Sequence, residues 1–203
     1  MKPIKNLLIF GVLFAMGTWA YAAEEAAAPP ETPPGMDPAM MEKMKAMTSP
    51  NENNQALEPF AGNWNYSGSF WMKPDAPAQE MTGTAKNELI FDGRFLKQEF
   101  EGPWMGETFH GIGYTGYDNV KKQYQTVWID SMGTGIFMME GTASADGKTI
   151  TLRGQHGEPG GGHMTHRAVW KLVDANTQTF EMYGAHGHGK ELKMMEITYT
   201  RKQ

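Results

Sequence analysis

The sequence predicts an all-β fold, with about ten antiparallel strands in up-and-down order closed into a barrel. From Gly62 onward, aromatic and β-branched runs alternate with short polar turns, among them Asp92-Gly93 and Asp146-Gly147, which are two-residue hairpin signals. Nothing after residue 57 carries a helical pattern of useful length, and the connections are nearly all hairpin-short, which favours a meander over a Greek key. Ten meandering strands hide both edges most simply by closing on themselves, and glycines at 68, 83, 111, 113, 116 and 141 suit strands that bend to do so.

Taken in order, the chain of 203 residues opens like a secretory signal. Lys2 and Lys5 form a positive start, Leu7 to Thr18 an apolar run, and Ala20-Tyr21-Ala22 a small-x-small site, so cleavage is expected after Ala22. The run is short for a membrane span and an acidic segment follows it, so no stable membrane insertion is expected once residues 1–22 are gone. The chain has no cysteine, which excludes lipoprotein attachment, disulfides and thiol chemistry. The expected address is the periplasm or the outside of the cell. Loss of the two lysines takes the net charge from -5 to -7, and an acidic chain without a basic run is not expected to bind nucleic acid.

Residues 23–56 read as a disordered linker containing one short Met-rich helix at about 38–47, started by Asp37-Pro38. Met40, Met44 and Met47 share a face with Met41 beside them. Thioethers suit monovalent copper, and they equally suit plain apolar docking. Residues 57–203 are the barrel. In its opening stretch Leu57 and Phe60 are expected to plug one end, Gly62 to turn the chain, and Trp64 to enter the interior. Strands are then expected at 63–72, 80–91, 94–101, 107–117, 123–130, 135–144, 149–155, 164–174, 178–185 and 191–201.

Several spaced motifs resemble one family. Leu57-x-x-Phe60-x-Gly62-x-Trp64, Gly116-Tyr117-Asp118, Tyr124-x-x-x-Trp128-x-Asp130-Ser131-Met132, Asp146-Gly147-Lys148-Thr149-x-Thr151-Leu152 and Met195-x-Ile197-x-Tyr199 are similar to those of the uncharacterised domain of unknown function 1579. The resemblance covers roughly residues 57–202 and implies a lipocalin-like or calycin-like β-barrel with no established activity. Over the opening strand alone, Gly62-x-Trp64 with Gly68 four residues on also resembles nitrobindin-type haem barrels. Haem would need an axial histidine from the far wall, none is assignable, and haem is not expected.

Two constellations carry candidate chemistry. On the fourth strand His110, Ile112 and Tyr114 share a face, as do Tyr124, Trp128 and Asp130 on the fifth. If Tyr117 pairs with Gln123, His110 stands beside Asp130, a polar anchor under aromatics. A register one residue off would separate them. The expected ligand-binding set is His110, Tyr114, Trp128, Asp130 and Trp64, in an interior cavity that Phe70, Phe137 and Trp170 also line, for a small, partly apolar molecule.

The second constellation is the histidines His156, His163, His166, His186 and His188. The register outward from an Asp174–Thr177 turn would bring His163 opposite His188 and Thr165 opposite His186. His163, His186 and His188 would then form a metal set for zinc or divalent copper. Flexible, glycine-flanked polar loops are the other reading of the same residues. Glu99, Glu101, Glu140, Glu181 and Asp130 show no spacing that forces a carboxylate pair, and neither a nucleophile elbow nor a phosphate loop occurs, so no reaction is assigned. A filled barrel acting through its outer surface is the third reading.

Overall fold

In a computed structural model, the described residues are 37–73, 76–187 and 189–203. The expected signal and the tether up to residue 36 lie outside them, as does His188. Helix α1 (Pro38–Thr48) and a one-turn helix α2 (Glu52–Gln55) lead into a single 3₁₀ turn at Glu58–Phe60. Ten strands follow: β1 (Gly62–Phe70), β2 (Gln79–Ile90), β3 (Phe95–Trp104), β4 (Glu107–Asp118), β5 (Gln123–Asp130), β6 (Phe137–Ala143), β7 (Thr149–Gly157), β8 (His163–Asp174), β9 (Thr177–His186) and β10 (Leu192–Arg201). Each pairs antiparallel with its sequence neighbour, and β1 pairs with both β2 and β10, so the sheet is a closed up-and-down barrel. Closure leaves no unpaired strand edge. Among the described residues no helix is long and apolar enough to cross a membrane.

One end of the barrel is packed solid. Leu57 and Phe60 are fully buried against Leu96, Tyr124, Ile150 and Trp170, and the Phe60 and Trp170 rings lie 4.4 Å apart. The Phe60 carbonyl accepts from the Trp64 indole N–H at 3.2 Å and from Asn87 Nδ2 at 2.9 Å. Arg201, at the end of β10, lays its guanidinium 4.1 Å over the Trp64 ring and donates to the carbonyls of Ala61, Pro59 and Ala175. Gly62 makes this clamp feasible: its φ is +125°, and a Cβ there would collide with the Arg201 guanidinium.

The segment just before the plug is more ordered than a linker. Asn51 caps α2 in a reciprocal capping box with Asn54. Asn54 Nδ2 donates to the Arg94 carbonyl at 3.2 Å, and the Tyr124 hydroxyl donates to the Asn53 carbonyl at 2.9 Å. Asparagines that read as a loop serve here as cap and dock.

Two registers differ from expectation by one residue, each for a local reason. Asp118, not Tyr117, pairs with Gln123. The Asp118 carboxylate accepts from the amides of Val120 and Lys121 at 2.8 and 3.0 Å, and Lys122 takes a left-handed φ of +56°. The turn is therefore one residue shorter. On β8 and β9, Asp174 does pair with Thr177, but Leu172 then pairs with Gln178, so Val173 is a bulge. Beyond it Met164, not Thr165, lies opposite His186.

Candidate functional site

The other end of the barrel is hollow. A cavity of about 460 Å³ runs inward from a mouth bordered by Met72, Trp104, Met105 and Met132. Its wall is overwhelmingly apolar. Phe100, Phe109, Phe137 and Phe180 provide aromatic faces, and Met81, Met139, Met182 and Met195 fill between them. Trp170, which caps the plug, is the floor on one side. The strand parity that buries the core at the closed end continues upward, but the inward residues there no longer meet across the axis.

Trp128 is held in the wall by two rings and a hydrogen bond. Its ring packs edge-on to Phe100 with centroids 5.2 Å apart and parallel to Phe109 at 6.4 Å. Its indole N–H donates to Asp130 Oδ2 at 2.7 Å, while Asp130 Oδ1 accepts from the Met132 amide at 2.9 Å. Asp130 thus fixes the indole at the mouth. Gly111 and Gly113, opposite Asp130 and Trp128 on β4, leave room for that ring, since a Cβ on Gly111 would strike it.

The cavity holds few polar groups. The Thr115 and Thr126 hydroxyls lie 3.0 Å apart, with Gln98 Oε1 3.4 Å from Thr115. Tyr199 is buried against Tyr66, and desolvation raises both phenols above their ordinary range, so both stay protonated.

The expected ligand set is therefore divided. Trp128 and Asp130 line the cavity, as do Phe70, Phe137 and Trp170. Trp64 is wholly buried in the packed end and does not reach it. His110 and Tyr114 are corrected outright: the one-residue shift at Asp118 puts them on the outer face, where His110 Nδ1 is 3.8 Å from Glu101 and both groups are exposed. Thr115, Thr126 and Gln98 were not singled out from sequence; knowing the turn register would have put them in line with Trp128.

Of the expected metal set, His163 and His186 are not brought together, and His188 lies outside the described residues. His163 and His186 fall on opposite strand parities because of the Val173 bulge, and His186 Nδ1 lies 2.8 Å from Glu158. Among the described residues no three His, Cys, Asp or Glu side chains converge as metal ligands. The histidines that do meet are His156 and His166, with His166 Nε2 2.9 Å from His156 Nδ1. His166 is 7% exposed, and its Nδ1 has no partner among the protein groups. Burial first, and the neighbouring His156 second, lower its pKa to about 4. The sequence signal for this pair was Met164-x-His166, which places a thioether and an imidazole on one strand face.

Residues 49–201 match the model of a family described as "Protein of unknown function (DUF1579)". No curated protein matches the chain. Among solved structures, the crystal structure of Rv2717c from M. tuberculosis is similar over 76% of this chain and 100% of that one, with a TM-score of 0.58 and 15% identity. At that identity the likeness is one of fold. A redesigned β barrel, b11L5F_LGL, is similar over 73% of this chain and 96% of its own, with 12% identity and a TM-score of 0.39.

Proposed function

The chain belongs to the DUF1579 family of proteins of unknown function, and we propose that it is a binding protein whose barrel takes up one small, largely apolar molecule. The observation that carries this reading is the 460 Å³ cavity, which falls in the size range of small-molecule sites and is walled by aromatic and methionine side chains. Methionines re-pack readily, so the wall adapts to more than one ligand shape. The sparse polar groups set orientation. Asp130 at the mouth and the Thr115–Thr126 pair inside offer hydrogen bonds to a ligand with one or two polar substituents on an apolar body.

The reading includes export, after removal of the segment ending at Ala22, which is supported by the charged start, apolar run and small-residue site of the first 22 residues. Outside the cytoplasm such a protein would carry or sequester poorly soluble molecules.

The test has two arms. Native mass spectrometry of protein recovered from its own host is expected to show an added organic mass. N-phenyl-1-naphthylamine, a neutral apolar fluorophore, is expected to bind with one site and to quench Trp128. A Met139→Trp/Met182→Trp variant, which directs two indoles into the cavity, should weaken that binding at least tenfold. No bound mass together with no fluorophore uptake sinks the proposal.

A further inference from the structure

The paired histidines are not among the residues that line the cavity, although Phe137, which does line it, packs against both rings. We propose that His156, His166, Met164 and Met194 form a site for a soft monovalent metal ion, Cu(I), bound between His156 Nδ1 and His166 Nε2 with the two thioethers completing its shell. This inference does not depend on the cavity's ligand.

The imidazoles meet through one nitrogen each. Their ring planes are 22° from parallel and their centroids 4.9 Å apart, yet two nitrogens come within 2.9 Å. At that distance one ring nitrogen donates to the other, so with both rings neutral the pair shares one N–H···N contact whose proton a metal ion would replace. A metal held by both at roughly 2.0–2.1 Å in tetrahedral geometry needs the nitrogens about 3.3 Å apart. The pair reaches that by opening a few tenths of an ångström and tilting each ring so that its lone pair leaves the N–N line and meets the metal beside it. Nothing else pins His166: its Nδ1 has no partner, so the ring can pivot without breaking another bond.

The sulfurs are brought in by the strands around Gly184. Gly184 is the cross-strand partner of His166, and Met164 that of His156. Without a side chain at Gly184, Met194 Sδ fills the space a Cβ would take, and Met164 Sδ lies 3.3 Å from the same point. Met194 enters there because β10 slips register between Lys193 and Met195, making Met194 the extra residue. His166 also pairs with Gly154 on β7, where the space a Cβ would take is filled by the Met138 carbonyl and the Met139 side chain, so only on the Gly184 side do thioether sulfurs come in beside it.

Imidazole and thioether donors select Cu(I), whereas carboxylate sites favour harder ions. The nearest carboxylate in sequence, Glu158, is engaged by His186. Phe137 stands edge-on to both rings, with centroids 5.1 Å from His166 and 6.1 Å from His156, and shields this side from water. Such burial keeps His166 neutral over the whole physiological range, which is the form that ligates.

The probe is Cu(I) itself, kept reduced by ascorbate and presented in competition with bicinchoninate. Ag(I) serves as a redox-inert substitute for imidazole NMR. One equivalent is expected to transfer to the protein, with the His156 and His166 ring signals shifting and those of His110 and His163 unmoved. His156→Ala, at an exposed position that does not disturb the core, is expected to weaken binding at least tenfold. Met194→Leu should weaken it severalfold, and His163→Ala should leave it unchanged. Failure to take Cu(I) from the competitor overturns the proposal. So does binding that is undiminished in His156→Ala, or metal that shifts the Met40, Met44 and Met47 methyl signals while the imidazoles stay still.

Discussion

His166 is a base held where it cannot readily accept a proton. Its pKa falls from 6.5 to about 4 through burial and the nearby His156. Between those values the unfolded chain binds a proton that the native chain does not, so stability rises with pH across this window. The contribution is fully present above about pH 6.5 and lost as pH falls toward 4. At about 1.4 kcal/mol per unit, the loss between pH 7 and pH 5 is on the order of 2 kcal/mol. Urea unfolding at the two pH values should show this drop, and His166→Leu should remove it; an equal drop in the variant would place the titration elsewhere. His156 and His166 were both visible in the sequence as members of one group of histidines, but their pairing was not. Which residues face inward depends on turn chemistry: the Asp118 carboxylate's two amide contacts decide that Trp128 enters and His110 does not. Periodicity identifies a face; it does not say which face is the inside.

At the scale of elements, the plug and the leading helix differ sharply in what they hold. Phe60 packs on Trp170 and its carbonyl binds Trp64 and Asn87, so Phe60→Ala should cost about 3–5 kcal/mol in denaturant unfolding. Helix α1 buries none of its residues. It is tied on by Asn119 Nδ2, which donates to the carbonyls of Ala46, Met47 and Ser49. A chain beginning at residue 49 should therefore match the full chain within about 0.5 kcal/mol. A loss comparable to that of Phe60→Ala would mean that α1 packs in a way its exposed methionines do not suggest. The strands were legible almost to their ends because alternation and Asp-Gly turns are local signals. The bulges at Val173 and Met194 were not, since a bulge is an accommodation to neighbouring strands and leaves no mark on its own strand's pattern.

For the whole molecule, the division into a packed end and a hollow end makes stability and binding separable. The closed end carries the Leu57–Phe60 plug, the Arg201 clamp and the largest buried side chains, while the hollow end leaves inward aromatic and methionine surface uncovered. A ligand that covers that surface binds only the native state. At a hundred times its dissociation constant it should add about 2.7 kcal/mol to unfolding free energy. N-phenyl-1-naphthylamine is expected to produce this rise in the natural sequence and none in Met139→Trp/Met182→Trp. The filled variant should itself be at least as stable without fluorophore, because its indoles cover the same surface from within. Equal stabilisation of both proteins would mean that the fluorophore binds outside the barrel. Loss of both binding and stability in the variant would mean that the hollow end tolerates no added volume. The expected pattern, in which stability rises as binding disappears, would identify the empty space as a feature kept for a guest and not a defect of packing.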